Sequence, residues 1–319
     1  MDLNLQSFLE KYYSPDEKVI LACSTGPDSM FLLYELLKTT FKNNIVACYF
    51  NHKLRVEADE EEKFLENLGK KLNFQVEIAS ANIKEIRDKL YPSISIEELA
   101  REKRYMFFSA ICEIHKTKKV LTAHHLDDKI ETFFFNLSRG SKLTGFINMT
   151  NPSPTREKLE GGFILRPLLN LEKSEILKYL DENKLEYRID KTNFDIDITR
   201  NLFRNEIIPK FFKVNSNFKN NISNTLNYFE ELKNYIDDDV KRFLKEKDFF
   251  IISDFHILSI FLQKEIIRYI YFISNGNSTI GLSEANISEI IKFINGKNNK
   301  TIKEIKNLKM KKDGNRVYY

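Results

Sequence analysis

Two rhythms of apolar and polar residues alternate along the first part of the chain. Residues 18–23 (KVILAC) form a short continuous apolar run, which predicts a buried strand. Residues 29–38 (SMFLLYELLK) predict a helix with an apolar face, and 44–50 (NIVACYF) a second strand. A helix follows over 57–72, with Phe64, Leu65 and Leu68 at helical spacing, and 74–79 (FQVEIA) alternates in period two as a strand does. Ser95 can cap a long helix from 96 to about 115, with Glu98 in the capping-box position. Residues 119–123 (KVLTA) read as a strand and 127–137 as a helix. Repeated strand–helix units imply parallel strands joined by right-handed crossovers. The expected fold is therefore a doubly wound, mainly parallel α/β sheet, apolar enough to be covered on both faces.

After Arg139 the pattern loosens. Residues 140–162 read as a loop punctuated by Pro152, Pro154 and Gly161-Gly162, before a strand over 163–169 and a helix from 172 to about 182. A helix is expected to start near Ile198. The Asn/Ser-rich stretch 215–224 suggests a domain boundary, giving a catalytic domain over 1–214 and a smaller, mainly helical domain over 215–319. There, 225–247 and 257–274 read as amphipathic helices, and 283–295 places Ile287, Ile290, Ile291 and Ile294 on one face. Asp313-Gly314-Asn315, between alternating residues, signals a hairpin near the end.

Composition adds exclusions. With 42% apolar and 30% charged residues, the 319-residue chain is globular rather than disordered. No apolar run approaches the roughly 20 residues that cross a bilayer, and the first residues lack the apolar core of a secretion signal. Cys23, Cys48 and Cys112 are far apart, form no CxxC pair, and fit a reducing compartment. A cytoplasmic protein is expected, with no membrane partner. The formal charge of +4 is unevenly placed: residues 292–316 carry nine basic and two acidic residues, leaving the remainder net acidic. Such a patch suits a nucleic-acid backbone, and equally a solvated lysine-rich surface.

Candidate chemistry begins at Ser24-Thr25-Gly26-Pro27-Asp28-Ser29, between a strand and a helix. A turn of small residues there can aim backbone N–H groups at an anion, at the positive end of a helix dipole. It matches neither the Walker A nor the GxGxxG pattern, and an ordinary strand–helix turn accounts for it as well. Asp28 makes sense beside an anion if Mg2+ lies between carboxylate and phosphates. Asp128 and Glu131, three apart on a helix, project from one face and could share a cation or take a proton from an amine; acids complementing a helix dipole explain them too. Arg101 and Arg104, one turn apart, can fork onto phosphate. Asn51 and His52 close a strand at the carboxyl edge, where such sheets bind ligands. His124 and His125 lack the further ligands that zinc requires, and His124 is better suited to hydrogen bonding with phosphate.

These residues resemble a known set. Ser24–Ser29 (STGPDS) is similar to the SGGxDS loop of the PP-loop (N-type) ATP pyrophosphatases. Asn51-His52-Lys53-Leu54-Arg55, Glu98 through Tyr105 (ELAREKRY), and Ala123 through Thr132 (AHHLDDKIET) follow in order. Arg166-Pro167-Leu168-Leu169, then Asp190-Lys191-Thr192-Asn193 with Arg200-Asn201 and Arg204, complete the series. The ordered set over 24–204 resembles the tRNA(Ile)-lysidine synthetases, in their short form.

The resemblance implies an adenine-nucleotide α-hydrolase-like fold and a two-step ligase. ATP adenylates the C2 oxygen of the wobble cytidine in the CAU anticodon of tRNA(Ile), releasing pyrophosphate; free lysine then displaces AMP. It implies catalytic roles for Asp28, Arg104, Asp128 and Glu131. ATP would be held by Ser24, Thr25, Gly26, Pro27, Asp28, Ser29, Asn51 and His124, with Mg2+ at Asp28. Lysine would be held by Asp128 and Glu131, and tRNA by Arg139, Arg166, Arg200 and Arg204. A homodimer is left open. Thr25 stands where a second glycine is usual, so its β-carbon narrows the loop's freedom, although its hydroxyl could add a donor. Lys129 follows the Asp pair where an uncharged residue is commoner, and could compete for the carboxylates. Two other readings are a cytidine thiolase-like PP-loop enzyme, whose chemistry needs suitably spaced cysteines, and a non-catalytic RNA-binding protein with a decayed nucleotide site.

Overall fold

The computed structural model describes residues 3–55, 57–147, 149–154, 162–188, 201–276 and 281–319. Two compact units, Met1–Asn224 and Thr225–Tyr319, divide inside one continuous helix, Phe218–Leu244.

In the first unit, strands β1 (Val19–Ala22), β2 (Ile45–Asn51), β3 (Gln75–Ser80), β4 (Lys119–Leu121) and β6 (Phe163–Leu165) are parallel. A two-residue β5 (Ser153–Pro154) adds an antiparallel edge, and the order is β3-β2-β1-β4-β6-β5. Alternate residues of the same strands go to opposite faces, as the pleat requires. Val19, Leu21, Ile45, Ala47 and Leu121 pack with α1 (Leu5–Tyr12), α2 (Pro27–Leu36), α3 (Glu57–Leu72) and α8 (Lys173–Glu182). Ile20, Val46, Cys48 and Val120 pack with Tyr105, Phe108, Ile111 and Cys112 of α5 (Ile96–Ile114). The sheet is thus covered on both sides, as its continuous apolar strands predict.

Ser95 Oγ accepts from Glu98 N at 3.1 Å and starts α5 at the predicted place. Two helices escape the sequence reading, α1 and α4 (Ile83–Leu90); both are only eight residues long. The stretch read as a loop after Arg139 contains one helical turn, α7 (Leu143–Phe146), as well as β5. The helix α6 (Leu126–Ser138) forms as expected. Farther along, a π-helical segment, Phe203–Ile207, leads into α9 (Ile208–Val214).

The second unit contains most of α10 (Phe218–Leu244), then α11 (Ile252–Ile257), α12 (Ile260–Ser274) and α13 (Glu284–Asn295). Ile287, Ile290, Ile291 and Ile294 are all buried, as their spacing predicts. A four-stranded antiparallel sheet, ordered β7-β10-β9-β8, accompanies them: β7 (Phe249–Ile251), β8 (Lys300–Ile305), β9 (Leu308–Asp313) and β10 (Arg316–Tyr318). The signalled hairpin is β9–β10, with Asp313 opposite Arg316; α11, β7 and β8 were not anticipated.

Candidate active site

Strand order reverses between β1 and β4, so the crevice beyond their carboxyl ends is the sheet's switch point, where such folds bind ligands. The loop after β1 and the segment after β4 meet there. Gly26 is the N-cap of α2 without any side-chain cap, and Pro27 occupies the first turn. The loop's hydroxyls mostly brace the loop itself. Ser29 Oγ donates to Gly26 O at 3.0 Å and accepts from Ser24 N at 3.1 Å, and Ser24 Oγ lies 3.3 Å from Ser29 Oγ.

Thr25 is fully buried with φ of 61°, the left-handed region that disfavours a β-branched residue. Its hydroxyl donates to Ser24 O at 2.6 Å, so it serves the turn rather than adding a donor for a ligand. Thr25 O in turn accepts from Arg188 N at 2.9 Å.

Across the crevice, α6 presents the acids. Its N-cap is His125, whose N donates to Asp128 Oδ2 at 3.0 Å. Asp127 accepts from Lys173 N (2.8 Å) and pairs with Lys219 Nζ (2.8 Å). The buried His125 ring joins the two halves: its Nε2 lies 3.4 Å from Asp128 Oδ2 and 3.7 Å from Asp28 Oδ1. Burial works against ionised Asp128, yet charge attraction to His125 and His124 outweighs it and lowers its pKa. Burial dominates at Glu131 and raises its pKa despite the Arg204 contact. Two neighbouring carboxylates are thus driven apart in acidity, as in sites where one stays ionised and the other exchanges a proton.

Three cations complete the cluster. Arg204 Nε and Nη2 donate to Glu131 at 2.6 and 2.8 Å, and Nη2 lies 3.4 Å from Asp128 Oδ1. Lys173 Nζ sits 2.5 Å from Asp28 Oδ1, while Lys219 Nζ pairs with both Asp127 and Glu172. Sequence reasoning missed Lys173 and Lys219; a lysine on an amphipathic helix carries no signal until the fold points it at a carboxylate. Lys129, considered as a competitor for these acids, is buried at 6% exposure.

One flank of the crevice is electropositive. Burial first, then repulsion from Arg104 and Arg55, lowers the His52 pKa to about 4. His124 is lowered to about 4 chiefly by burial, with Arg166 and Arg104 adding and Asp128 opposing. His124 Nδ1 lies 2.8 Å from Thr122 Oγ1. Both imidazoles are therefore neutral near pH 7. Arg101 lies over the Tyr105 ring at 5.0 Å. Buried His52 Nδ1, His125 Nδ1 and Arg166 Nε lack hydrogen-bond partners among the described residues, which suits a site completed by a ligand. Asn51, expected at the nucleotide, is fully buried. Its amide donates to Asp59 (2.9 Å) and Glu62 (2.7 Å), and its Oδ1 accepts from Lys53 N (2.7 Å), so this side chain braces the β2–α3 turn.

The residues expected at tRNA are dispersed. Arg139 is exposed at the end of α6, over the Phe135 ring at 5.2 Å. Arg166 is half-buried, donates from Nη1 to Thr150 O (3.3 Å), and acts electrostatically on His124 and Asp128. Arg204 is engaged by the acid pair. Arg200 and Asp190–Asn193, like the helix start near Ile198, lie outside the described residues. In the basic tail, Lys312 is buried, Lys303 pairs with Glu289 and Lys309 with Glu304, so three of the nine cations serve the fold.

Among the described residues no group of three or more side chains is arranged to hold a metal ion. Asp28 fits the narrower role of one carboxylate on a Mg2+ that arrives with a triphosphate, because Mg2+ takes few protein ligands and keeps phosphate and water. That Lys173 already places a positive charge on this oxygen supports the fit. No helix among the described residues is long and apolar enough to cross a membrane.

A family model described as a PP-loop domain matches residues 1–211. The chain is 30% identical over 304 residues to a tRNA(Ile)-lysidine synthase of Mycoplasma mycoides, covering 95% of this chain and 73% of that protein. It is 34% identical to a protein of the same name from Thermosipho africanus, covering 83% of this chain and 62% of the relative. Among solved structures, the U34-tRNA thiolase NcsA from Methanococcus maripaludis, with its [4Fe-4S] cluster, superposes with a TM-score of 0.55 at 16% identity. The match covers 68% of this chain and 72% of the thiolase, a likeness of fold.

Proposed function

The chain belongs to the tRNA(Ile)-lysidine synthase family of PP-loop proteins, and we propose that its crevice joins free lysine to C2 of the wobble cytidine of a CAU-anticodon tRNA(Ile). The observation that carries the reading is the meeting of Asp28 and Asp128 at one buried imidazole, His125 Nε2. The nucleotide loop and the acidic helix thus meet at one side chain, as a two-step reaction on a single base requires.

In the first step the N–H groups at the start of α2 would hold phosphate oxygens of ATP, and Asp28 would hold the Mg2+ carried by the nucleotide, which would offset phosphate charge. The cytidine O2 attacks the α-phosphorus and pyrophosphate leaves. Neutral His124 can donate a hydrogen bond to the departing phosphates, while Arg104 and Arg166 offset charge around the adenylate. In the second step the lysine amine attacks C2, AMP leaves with the C2 oxygen, and Glu131 accepts the amine proton. Its raised pKa makes Glu131 the stronger base of the pair. Asp128, held ionised, keeps an ammonium in place. Arg204 stands in for that ammonium in this structure, with a cationic nitrogen on each carboxylate.

A thiolase reading is disfavoured by the cysteines. Cys23 and Cys112 are buried, and burial pushes their thiols up to about 11 and about 12; buried Cys48 is raised as well. Such thiols are poor nucleophiles and poor ligands. Work on tRNA implies the cytoplasm. The direct test is incubation with ATP, radiolabelled lysine and tRNA followed by nucleoside analysis. Labelled lysidine dependent on all three is expected, and sulfur incorporation without added lysine would overturn the reading.

A further inference from the structure

The second compact unit carries a surface that the catalytic chemistry does not use. Along β9, Leu308, Met310 and Lys312 are buried, whereas Lys309, Lys311 and Asp313 are exposed. The sheet therefore has one covered and one open face. Lys312 Nζ reaches inward to cap α13, donating to Ile294 O (2.9 Å) and Gly296 O (2.5 Å). Strand register sets Ile302, Lys311, Tyr318 and Phe249 in one row across all four strands of the open face.

The Phe249 and Tyr318 rings have centroids 5.4 Å apart and planes inclined by 41°. The Arg316 guanidinium and the Lys247 ammonium lie 4.9 and 5.4 Å from the Phe249 ring centre. Ile302 is 58% exposed on the edge strand. Of the two acids on this face, Glu304 is paired with Lys309 at 2.8 Å and Asp313 lies between Lys300 and Arg316 in the register. Among the described residues, Lys247, Lys300, Lys311 and Arg316 have no carboxylate within ion-pair distance.

An aromatic pair on the open face of a sheet, beside cations that outnumber its acids, is complementary to a polyanion that also offers flat apolar faces. An unpaired nucleic-acid strand has that chemistry, whereas a duplex keeps its base faces stacked inside. We propose that this open face binds an unpaired stretch of the substrate RNA. Bases stack on the mutually inclined rings of Phe249 and Tyr318 separately, and the flanking phosphates lie against Lys247, Lys311 and Arg316. Arg316, already over the Phe249 ring, supplies a second flat cationic surface. The proposal rests on the tRNA reading above and adds where and how a strand is gripped.

The test uses the full chain, a fluorescein-labelled oligouridine decamer and fluorescence anisotropy over a series of salt concentrations. F249L/Y318L keeps apolar bulk and removes the π-faces. It is expected to weaken decamer binding about tenfold or more with the salt slope unchanged. Lys311→Gln is expected to weaken binding less and to lower the slope by about one. The surface variants Lys311→Gln and Arg316→Gln keep the test usable if the leucine variant fails to fold, as judged by circular dichroism. Wild-type affinity in a folded F249L/Y318L, or an unchanged salt slope in both charge variants, overturns the proposal. So does wild-type binding to phosphatidylglycerol vesicles without binding to the decamer. Lysidine formation by the wild-type chain is read separately, so its failure strikes the catalytic reading and not the platform.

Discussion

Arg204 grips Glu131 with two parallel hydrogen bonds, 2.6 and 2.8 Å long, although the arginine is half-exposed and the carboxylate is 6% exposed. The bidentate contact lowers the pKa of a group that burial raises. Arg204→Gln should therefore raise the Glu131 pKa further and move the acid limb of the lysine-transfer rate to higher pH. Single-turnover transfer from preformed adenylated tRNA checks this, and an acid limb that stays in place would remove Glu131 from the role of base.

Glu131→Ala should slow the same transfer by about a hundredfold or more, the scale of losing general-base help. Pyrophosphate release with saturating tRNA should persist, because adenylation does not use this carboxylate. Normal transfer in the variant would reassign the base.

Asp28→Ala should abolish pyrophosphate release while tRNA binding stays within a few-fold of wild type. Lys173 loses its 2.5 Å partner in that variant, so circular dichroism should accompany the assay. Equal loss of release and tRNA binding would refute a role confined to the nucleotide.

Thr25→Gly removes a β-branched residue from φ of 61°, which relieves roughly 1–2 kcal/mol. It also loses a hydrogen bond worth about 1 kcal/mol and adds unfolded-chain entropy. Stability should change by less than about 1 kcal/mol, while KM for ATP falls as the loop gains room. Thr25→Val keeps the strain and loses the bond to Ser24 O, so it should be the less stable variant in urea unfolding. The opposite order would show that the loop is relaxed as it stands.

His52 and His124 resist protonation down to about pH 4 in the folded chain because burial disfavours the imidazolium. The unfolded chain takes up these protons near 6.5. Their contribution is therefore intact above that pH and is lost as pH falls from about 6.5 to about 4. Glu131, raised by burial, works in the other direction and offsets part of the loss. His52→Asn and His124→Asn should each flatten the denaturation midpoint across this window, and parallel curves would refute the assignment.

Much of the fold could be read along the chain because its signals are local. Ser95 and its 3.1 Å cap, and the four buried isoleucines of α13, need only near neighbours. The helices α1 and α4 are too short for periodicity to separate them from loop. Strand β8 (KTIKEI) turns Ile302 outward and leaves Thr301 and Lys303 half-buried at a sheet edge, so its pattern looks like a solvated tail. The acid pair on α6 and Arg204 were each legible from spacing and resemblance, but not that they meet. Lys173 and Lys219 carried no signal, because Asp28 and Asp127, which they contact, are distant in sequence.

The main strand–helix alternation of the sheet, the loop after β1 and the acidic face of α6 follow from the amino-acid sequence alone, because each depends on side-chain spacing within one element. Which charges meet does not. Only the winding of the sheet, reversing between β1 and β4, brings Asp28 to His125 and Lys173. Only packing sets Arg204 on Glu131, turns Asn51 inward and buries Lys312. Charge interactions and desolvation act through space and depend on burial, quantities with no counterpart along a one-dimensional chain.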